Sequence, residues 1–450
     1  MIMTSRQFKF LSVLLLSSNL AIGATKTVDG GAGTDSLTIN YSGITSLGDF
    51  SITTSGDYLV LKDSSSNIVN FKNIANLTIG SNTYVDIQQY YNQKDYYWGA
   101  SEHKIYMYNK GTGGKLNLGN YSPNWSDLLT NYSKSSILYL SGSAVGDLVS
   151  NEYSPRNEFT GGFSFSMGAG DDLLIRARLI NADSIDMGTG DDNVELLIGS
   201  DGTPAFDSVS YAKLDGGAGS DTLDFTNSLS NATNGKTLTL TFGGSTNFEN
   251  IVGAGVPETI KGDENNNILV GDGDKSVIGS SPVGSDTIYG YGGNDLLVAG
   301  SGNLNDNAKT SRIASQSVFI AYRNDSDNTG EDKLYGGSGD DVLIGSVGDN
   351  VLDGGTGADT IYSGNGLDTI VTRSGDGGSS LSNADVVADF TDGSDIVGLS
   401  SLNYSDLTVS QGTGSYSSHV VVQETSTGDF LLILQNQSIS NIDDNDFSAI

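Results

Sequence analysis

The sequence predicts an all-β chain built as a parallel β-solenoid, a right-handed β-roll of glycine-rich nonapeptides. First, Asp332, Asp341, Asn350, Asp359 and Asp368 recur at a strict spacing of nine, and the glycines keep the same step. Second, 60 glycines, 5 prolines and no cysteine describe a chain full of turns rather than a set of helical globules. Third, 54 acidic residues face 22 basic ones, a formal charge of -32, and many of the acids are aspartates set among glycines. Short carboxylates in tight turns suit a hard, oxygen-loving cation better than they suit solubilising helices.

Composition also excludes whole classes of function. A charge of -32 leaves no basic footprint for phosphate, so nucleic acid is not a partner. Without cysteine there is no disulfide, no thiolate zinc site, no iron–sulfur cluster and no thiol nucleophile. Two histidines leave little for imidazole chemistry.

Residues 1–24 have the three-part pattern of an export signal: Arg6 and Lys9, an apolar run from Phe10 to Ile22, then small residues ending at Ala24. Cleavage there would take the charge from -32 to about -34. The apolar run is broken by Ser12, Ser17, Ser18 and Asn19, and is short of the ~20 residues of a spanning helix. The expected mature chain therefore has no transmembrane helix.

From 25 to 260 the expectation is β-rich, solenoid-like structure with irregular coils. Short alternating stretches such as Tyr58-Leu59-Val60-Leu61 and Ile68-Val69-Asn70-Phe71 read as strands between turn residues. Isolated glycine turns end on Asp35, Asp172, Asp192 and Asp221. Residues 84–139 differ, holding 10 of the 21 tyrosines, both tryptophans (Trp98 and Trp125), and five lysines against four acids. Such aromatics stack on sugar rings, anchor a partner at the cell surface, or fill a wider core. His103 has no matching acid or nucleophile around it and reads as a surface residue.

The array occupies 261–371. Written as G-G-x-G-x-D-x-U-x, with U apolar, the unit is matched in full by Gly336 to Leu343 and by Gly354 to Ile361. Gly345 to Leu352 and Ser363 to Ile370 match with one or two departures, and Asp286 and Asp295 are again nine apart. Gly262 to Leu269 is a degenerate copy with Asn267 in place of the aspartate. The glycine half takes the positive-φ conformations of a tight turn and the other half forms a short strand. Two units make one flattened coil, so Asp341 lies over Asp359, and Asn350 between Asp332 and Asp368. Stacked carboxylates repel unless a cation sits between them.

These residues resemble the RTX family, the hemolysin-type calcium-binding repeat proteins. The resemblance implies several Ca²⁺ ions, each held by turn carbonyls from the first and third places and by carboxylates from the fifth or sixth. The implied carbonyls are those of Gly336, Ser338, Gly345, Val347, Gly354, Thr356 and Ser363. The implied carboxylates are Asp340, Asp341, Asp349, Asp359 and Asp368. Asp286, Asp295, Asp332 and Asn350 hold the sixth place of other copies and join the set, as do Asp35, Asp172, Asp192 and Asp221. Asn267 and Asn350 each remove a charge and should weaken their sites.

Insertions at 273–283 and 303–330 interrupt the array. The second contains Ser317-Val318-Phe319-Ile320-Ala321-Tyr322 and an acidic string from Asp325, which opens like an EF-hand but has Gly336 where the bidentate glutamate belongs. It reads as an acidic excursion on one face, a place where solenoids put partner contacts. Residues 372–450 read as a β cap. Ala384 to Leu399 and Ile442 to Phe447 are similar to the region after the repeats in proteins of type I secretion. One chain normally uses one export route, so either the tail is a structural cap or the N-terminus is not a cleaved signal.

The function expected from these features is a secreted or cell-surface calcium-binding repeat protein, structural or adhesive, whose folding extracellular calcium drives. The alternative is a calcium-dependent extracellular enzyme acting on polysaccharide through two carboxylates. No His-Glu-x-x-His helix or Gly-x-Ser-x-Gly elbow is present, with His103 and His419 the only histidines, so no catalytic residue is assigned.

Overall fold

The computed structural model describes residues 13–17, 24–31, 35–45, 49–55, 58–74, 76–79, 82–89, 96–101, 104–109, 115–117, 137–143, 148–150, 163–199, 203–273, 284–300 and 329–450. Residues 274–283 and 303–328 of the two insertions and most of the leader lie outside these residues, and so do the side chains of the 84–139 aromatic segment, including Trp98 and Trp125. Strand dominates, helix is almost absent, and the sheets are mainly parallel, so the chain is the all-β repeat fold its sequence predicts. Among the described residues no helix is long and apolar enough to cross a membrane.

The chain divides into two compact units, 1–190 with 211–217, and 191–210 with 218–450. In the first, a ten-stranded sheet begins with Val13–Ser17, Ser36–Asn40 and Asn76–Ile79 in parallel. It continues through an antiparallel meander of Asn82–Gln89, Tyr96–Ser101 and Lys104–Asn109, and returns to parallel pairing from Ile137–Ser143 to Lys213–Asp215. Most of the described residues of the aromatic segment lie in this meander, a departure from regular coils. A four-stranded sheet, Thr25–Asp29, Ile68–Lys72, Tyr58–Asp63 and Phe50–Ser55, packs Leu61, Val69 and Phe71 with Leu37, Ile39, Leu77 and Ile79 in one core.

In the second unit successive strands alternate between two parallel sheets. The first carries Asn193–Leu196, Thr222–Asp224, Asn250–Val252, Ile268–Val270, Leu296–Val298, Val342–Ile344, Thr360–Tyr362 and Asp385–Val387. The second carries Thr237–Thr239, Thr259–Lys261, Thr287–Gly292, Lys333–Ser338, Val351–Thr356, Thr369–Arg373, Ile396–Ser400 and Phe447–Ala449. A three-residue strand sends its middle side chain to one face and its outer two to the other. The middle residues Leu269, Leu297, Leu343 and Ile361, and opposite them Ile288, Leu334, Leu352 and Ile370, are completely buried and form a thin core. The register leaps both insertions without slipping, since Leu269 pairs Leu297 across the first and Leu297 pairs Leu343 across the second. At the far end Phe430–Leu434, Val420–Glu424 and Leu407–Gln411 turn antiparallel and close the first sheet.

Candidate metal centre

The turns between strands have the conformation their glycines allow. Gly337, Gly339, Gly355 and Gly357 all take φ between +98 and +144, a region where a side chain is strained. The first glycine of each repeat has another reason to lack a side chain. A methyl on Gly336 would lie 2.4 Å from Asp341 Oδ2 and 2.5 Å from the Gly354 carbonyl oxygen. On Gly290 it would lie 2.2 Å from Asp295 Oδ2 and 2.5 Å from the Gly336 oxygen. The same small space therefore faces a carboxylate oxygen and the first-place carbonyl one coil further on.

The sixth-place residues stack into two ladders. In one, the backbone N–H of Asn267 donates to Asp295 Oδ1, that of Asp295 to Asp341, that of Asp341 to Asp359, and that of Asp359 to Asp385. In the other, the N–H of Glu258 donates to Asp286, Asp286 to Asp332, Asp332 to Asn350, Asn350 to Asp368, and Asp368 to Asp395, at 2.8–3.3 Å. Only Oδ1 is used. The second oxygen of Asp286, Asp295, Asp341, Asp359, Asp368 and Asp385 is buried and has no hydrogen-bond partner. A desolvated, unpartnered carboxylate oxygen costs several kcal/mol unless a cation meets it.

Calcium fits this donor set. Among the described residues no point gathers three or more acidic or histidine side chains, so the shell would rest on Oδ2 atoms completed by turn carbonyls, a hard all-oxygen set. The first-place carbonyls of Gly336, Gly354 and Ser363 lie beside the first glycine of the preceding coil, as the resemblance implies. Among third-place residues, Thr356 already accepts the Gly339 N–H at 2.9 Å through its carbonyl, leaving one lone pair. The fifth-place acids also hold neighbouring turns through Oδ1. Asp340 and Asp349 sit on the exposed rim and accept the N–H groups of Ala358 and Leu367 at 2.9 Å, pinning turn to turn.

The earlier isolated copies divide. The Asp192 N–H donates to Asp221 Oδ1 at 2.8 Å and the Asp221 N–H to Glu249, extending the ladder pattern upstream. Asp35 and Asp172 are buried in the first unit. Three rungs escaped the sequence reading: Glu258, Asp385 and Asp395. Glu258 lies nine before Asn267, but its unit keeps only the first glycine, Gly253, with Ala254 and Val256 in the other two glycine places, and glutamate replaces aspartate. Asp385 follows Asp359 by 26 residues and Asp395 follows Asp368 by 27, so extra residues hide the period.

Electrostatics at the rungs favour a cation. Burial pushes Asp341 and Asp332 up to about 6, Asp295, Asp359 and Asp368 up to about 7, and Asp385 up to about 9. A neighbouring rung's carboxylate adds to burial at Asp295, Asp359, Asp368 and Asp385. A carboxyl whose folded pKa lies above its unfolded value of 3.8 favours folding below that value and loses the contribution as pH rises through the folded one. In chelator the repeat coils should therefore be most stable near pH 4 and lose that stability between pH 4 and about 7. Denaturation in chelator at pH 4.5 and 7.5 checks this; calcium should reverse the order, because metal ligands must be deprotonated.

Past the last metal-like turn the chain supplies its own cation. The Arg373 guanidinium pairs with Asp353 and lies 3.5 Å from Asp376, whose Oδ2 also accepts the Arg373 N–H. Arg373→Ala should cost about 2 kcal/mol at saturating calcium, because it leaves the buried Asp376 and the largely buried Asp353 without their cation. The urea midpoint measures that loss, and further calcium should not restore it.

A family model described as the RTX calcium-binding nonapeptide repeat matches the chain in four copies, over residues 283–303, 326–352 and 344–377. The chain therefore carries RTX calcium-binding repeats. No curated protein matches it.

Proposed function

We propose that this is a secreted or cell-surface calcium-binding repeat protein, structural or adhesive rather than catalytic, whose second unit folds when it meets extracellular calcium. The observation that carries the reading is the row of buried, unpartnered Oδ2 atoms on Asp286, Asp295, Asp341, Asp359, Asp368 and Asp385. Without metal these rungs repel; with calcium at the 10⁻⁴–10⁻³ M of extracellular modules, binding becomes folding free energy. The leader and the tail supply the export side of the reading, and the aromatic segment supplies the contact with carbohydrate or the cell surface. A non-catalytic role is supported by the acids themselves, since the sixth- and fifth-place carboxylates already hold N–H groups of neighbouring coils.

Circular dichroism of residues 25–450, titrated from chelator into millimolar calcium with magnesium as control, tests it. The expected result is a cooperative, calcium-selective gain of β signal. A chain folded in chelator and indifferent to calcium would sink the reading.

A further inference from the structure

Asp286 and Asp368 each leave a buried Oδ2 without a partner, but the two rungs between them, Asp332 and Asn350, have every side-chain oxygen engaged. The cause lies in Ser346 and Asn350, both fully buried. Ser346 stands at the second place of its unit, where the full-match repeats have Gly337 and Gly355. Its hydroxyl lies 3.0 Å from Asp332 Oδ2 and 3.2 Å from Asn350 Oδ1.

The two asparagine rungs differ in the atom they turn toward the small space beside the first glycine. On Gly336 and Gly354 an added methyl would meet a carboxylate Oδ2, and on Gly262 it would lie 2.2 Å from Asn267 Oδ1. Asn267 sends its nitrogen away, to the Glu249 carbonyl at 2.8 Å. On Gly345 the methyl would lie 2.1 Å from the Ser363 carbonyl oxygen and 3.2 Å from Asn350 Nδ2. That nitrogen donates to the Gly348 carbonyl at 2.7 Å and to Asp368 Oδ1 at 3.2 Å, with the Ser346 and Ser363 carbonyl oxygens at 3.4 and 3.5 Å. Its neighbours fix the orientation. Oδ1 receives the Asp332 N–H at 3.1 Å, so a reversed amide would set N–H against N–H on that side and oxygen against carbonyl oxygen on the other.

An amide NH2 has donors and no lone pair for a cation, and the four oxygens around it are the kind that elsewhere close a calcium shell. The resemblance implies Gly345, Val347, Asn350 and Ser363 as ligands at this turn, and the donors present do not fit that role. We propose that the Ser346–Asn350 turn is a metal-free rung, in which the Asn350 nitrogen takes the place of calcium and the second ladder carries its ions only on either side. Asn267, which presents an oxygen, keeps a weakened site. The inference rests on the calcium-binding reading. It makes this turn a fixed point in the array, tied by hydrogen bonds that hold at calcium levels too low to fill the flanking rungs.

Counting the calcium bound per full chain at saturation, by equilibrium dialysis, tests this. Ser346→Gly combined with Asn350→Asp rebuilds the repeat pattern of the neighbouring units and should bind one ion more than wild type. Asn350→Ala should bind the wild-type number and lower the urea midpoint. If one variant does not fold in calcium, the other decides. Equal, non-zero counts in wild type and the double variant overturn this inference alone, and so does an ion lost in Asn350→Ala. A wild-type chain that binds no calcium sinks the functional reading itself and this inference with it.

Discussion

Asp359→Ala should raise the calcium midpoint of folding about tenfold, a loss of roughly 1.4 kcal/mol in binding. Asp359 is central to its ladder: its N–H donates to Asp385, its Oδ1 accepts from Asp341, and its Oδ2 is unpartnered in a fully buried site. Alanine removes the metal oxygen and the acceptor together, so in calcium the loss combines a ligand with a buried hydrogen bond. In chelator the sign should invert, because one carboxylate fewer repels Asp341 and Asp385. Asp359→Asn separates the two roles. The chain already has an amide rung at Asn350, whose Oδ1 accepts the Asp332 N–H at 3.1 Å. The amide variant should keep the ladder, shift the calcium midpoint less than alanine does, and fold more readily than wild type in chelator. Calcium titrations of the three proteins at pH 7.5 decide this, and equal midpoints in all three would remove Asp359 from the metal site.

Gly357→Ala should be among the most damaging single changes, at about 3 kcal/mol. Its φ is +144, and an added methyl would lie 1.9 Å from the Gly339 carbonyl oxygen and 2.6 Å from its carbon, so backbone must move. Gly375 is the control, with φ +94 but nothing within 4 Å of an added methyl. Gly375→Ala should then cost only the conformational strain, about 1 kcal/mol. Urea denaturation in saturating calcium compares the two. Similar losses would mean that the stacked turns can spread apart.

The array could be read from sequence because two independent steps, glycine and aspartate, coincide from Asp332 to Asp368 and each has a conformational cause. Phase was what hid the rest. Extra residues put Asp385 off the nine-residue step and Asp395 beyond the 18 residues of a coil, yet the sheets absorb those residues in turns and restore the register at Val387 and Val397. The rim position of Asp340 and Asp349 follows from backbone geometry that neighbouring aspartates in a sequence do not distinguish. The meander in the aromatic segment has the alternation of any strand, and parallel and antiparallel neighbours share that alternation.

In both ladders the donor is always the backbone N–H of the upstream rung and the acceptor a side-chain oxygen of the downstream one. This bond therefore adds, in one direction, to the strand pairing that ties each coil to its neighbours. A chain held at both ends and pulled would yield as a series of small slips, one coil at a time, each slip freeing a short length of backbone and the ion that bridged it. As a stalk, such a molecule would behave as a tether that pays out under load and rewinds in calcium when the load is removed.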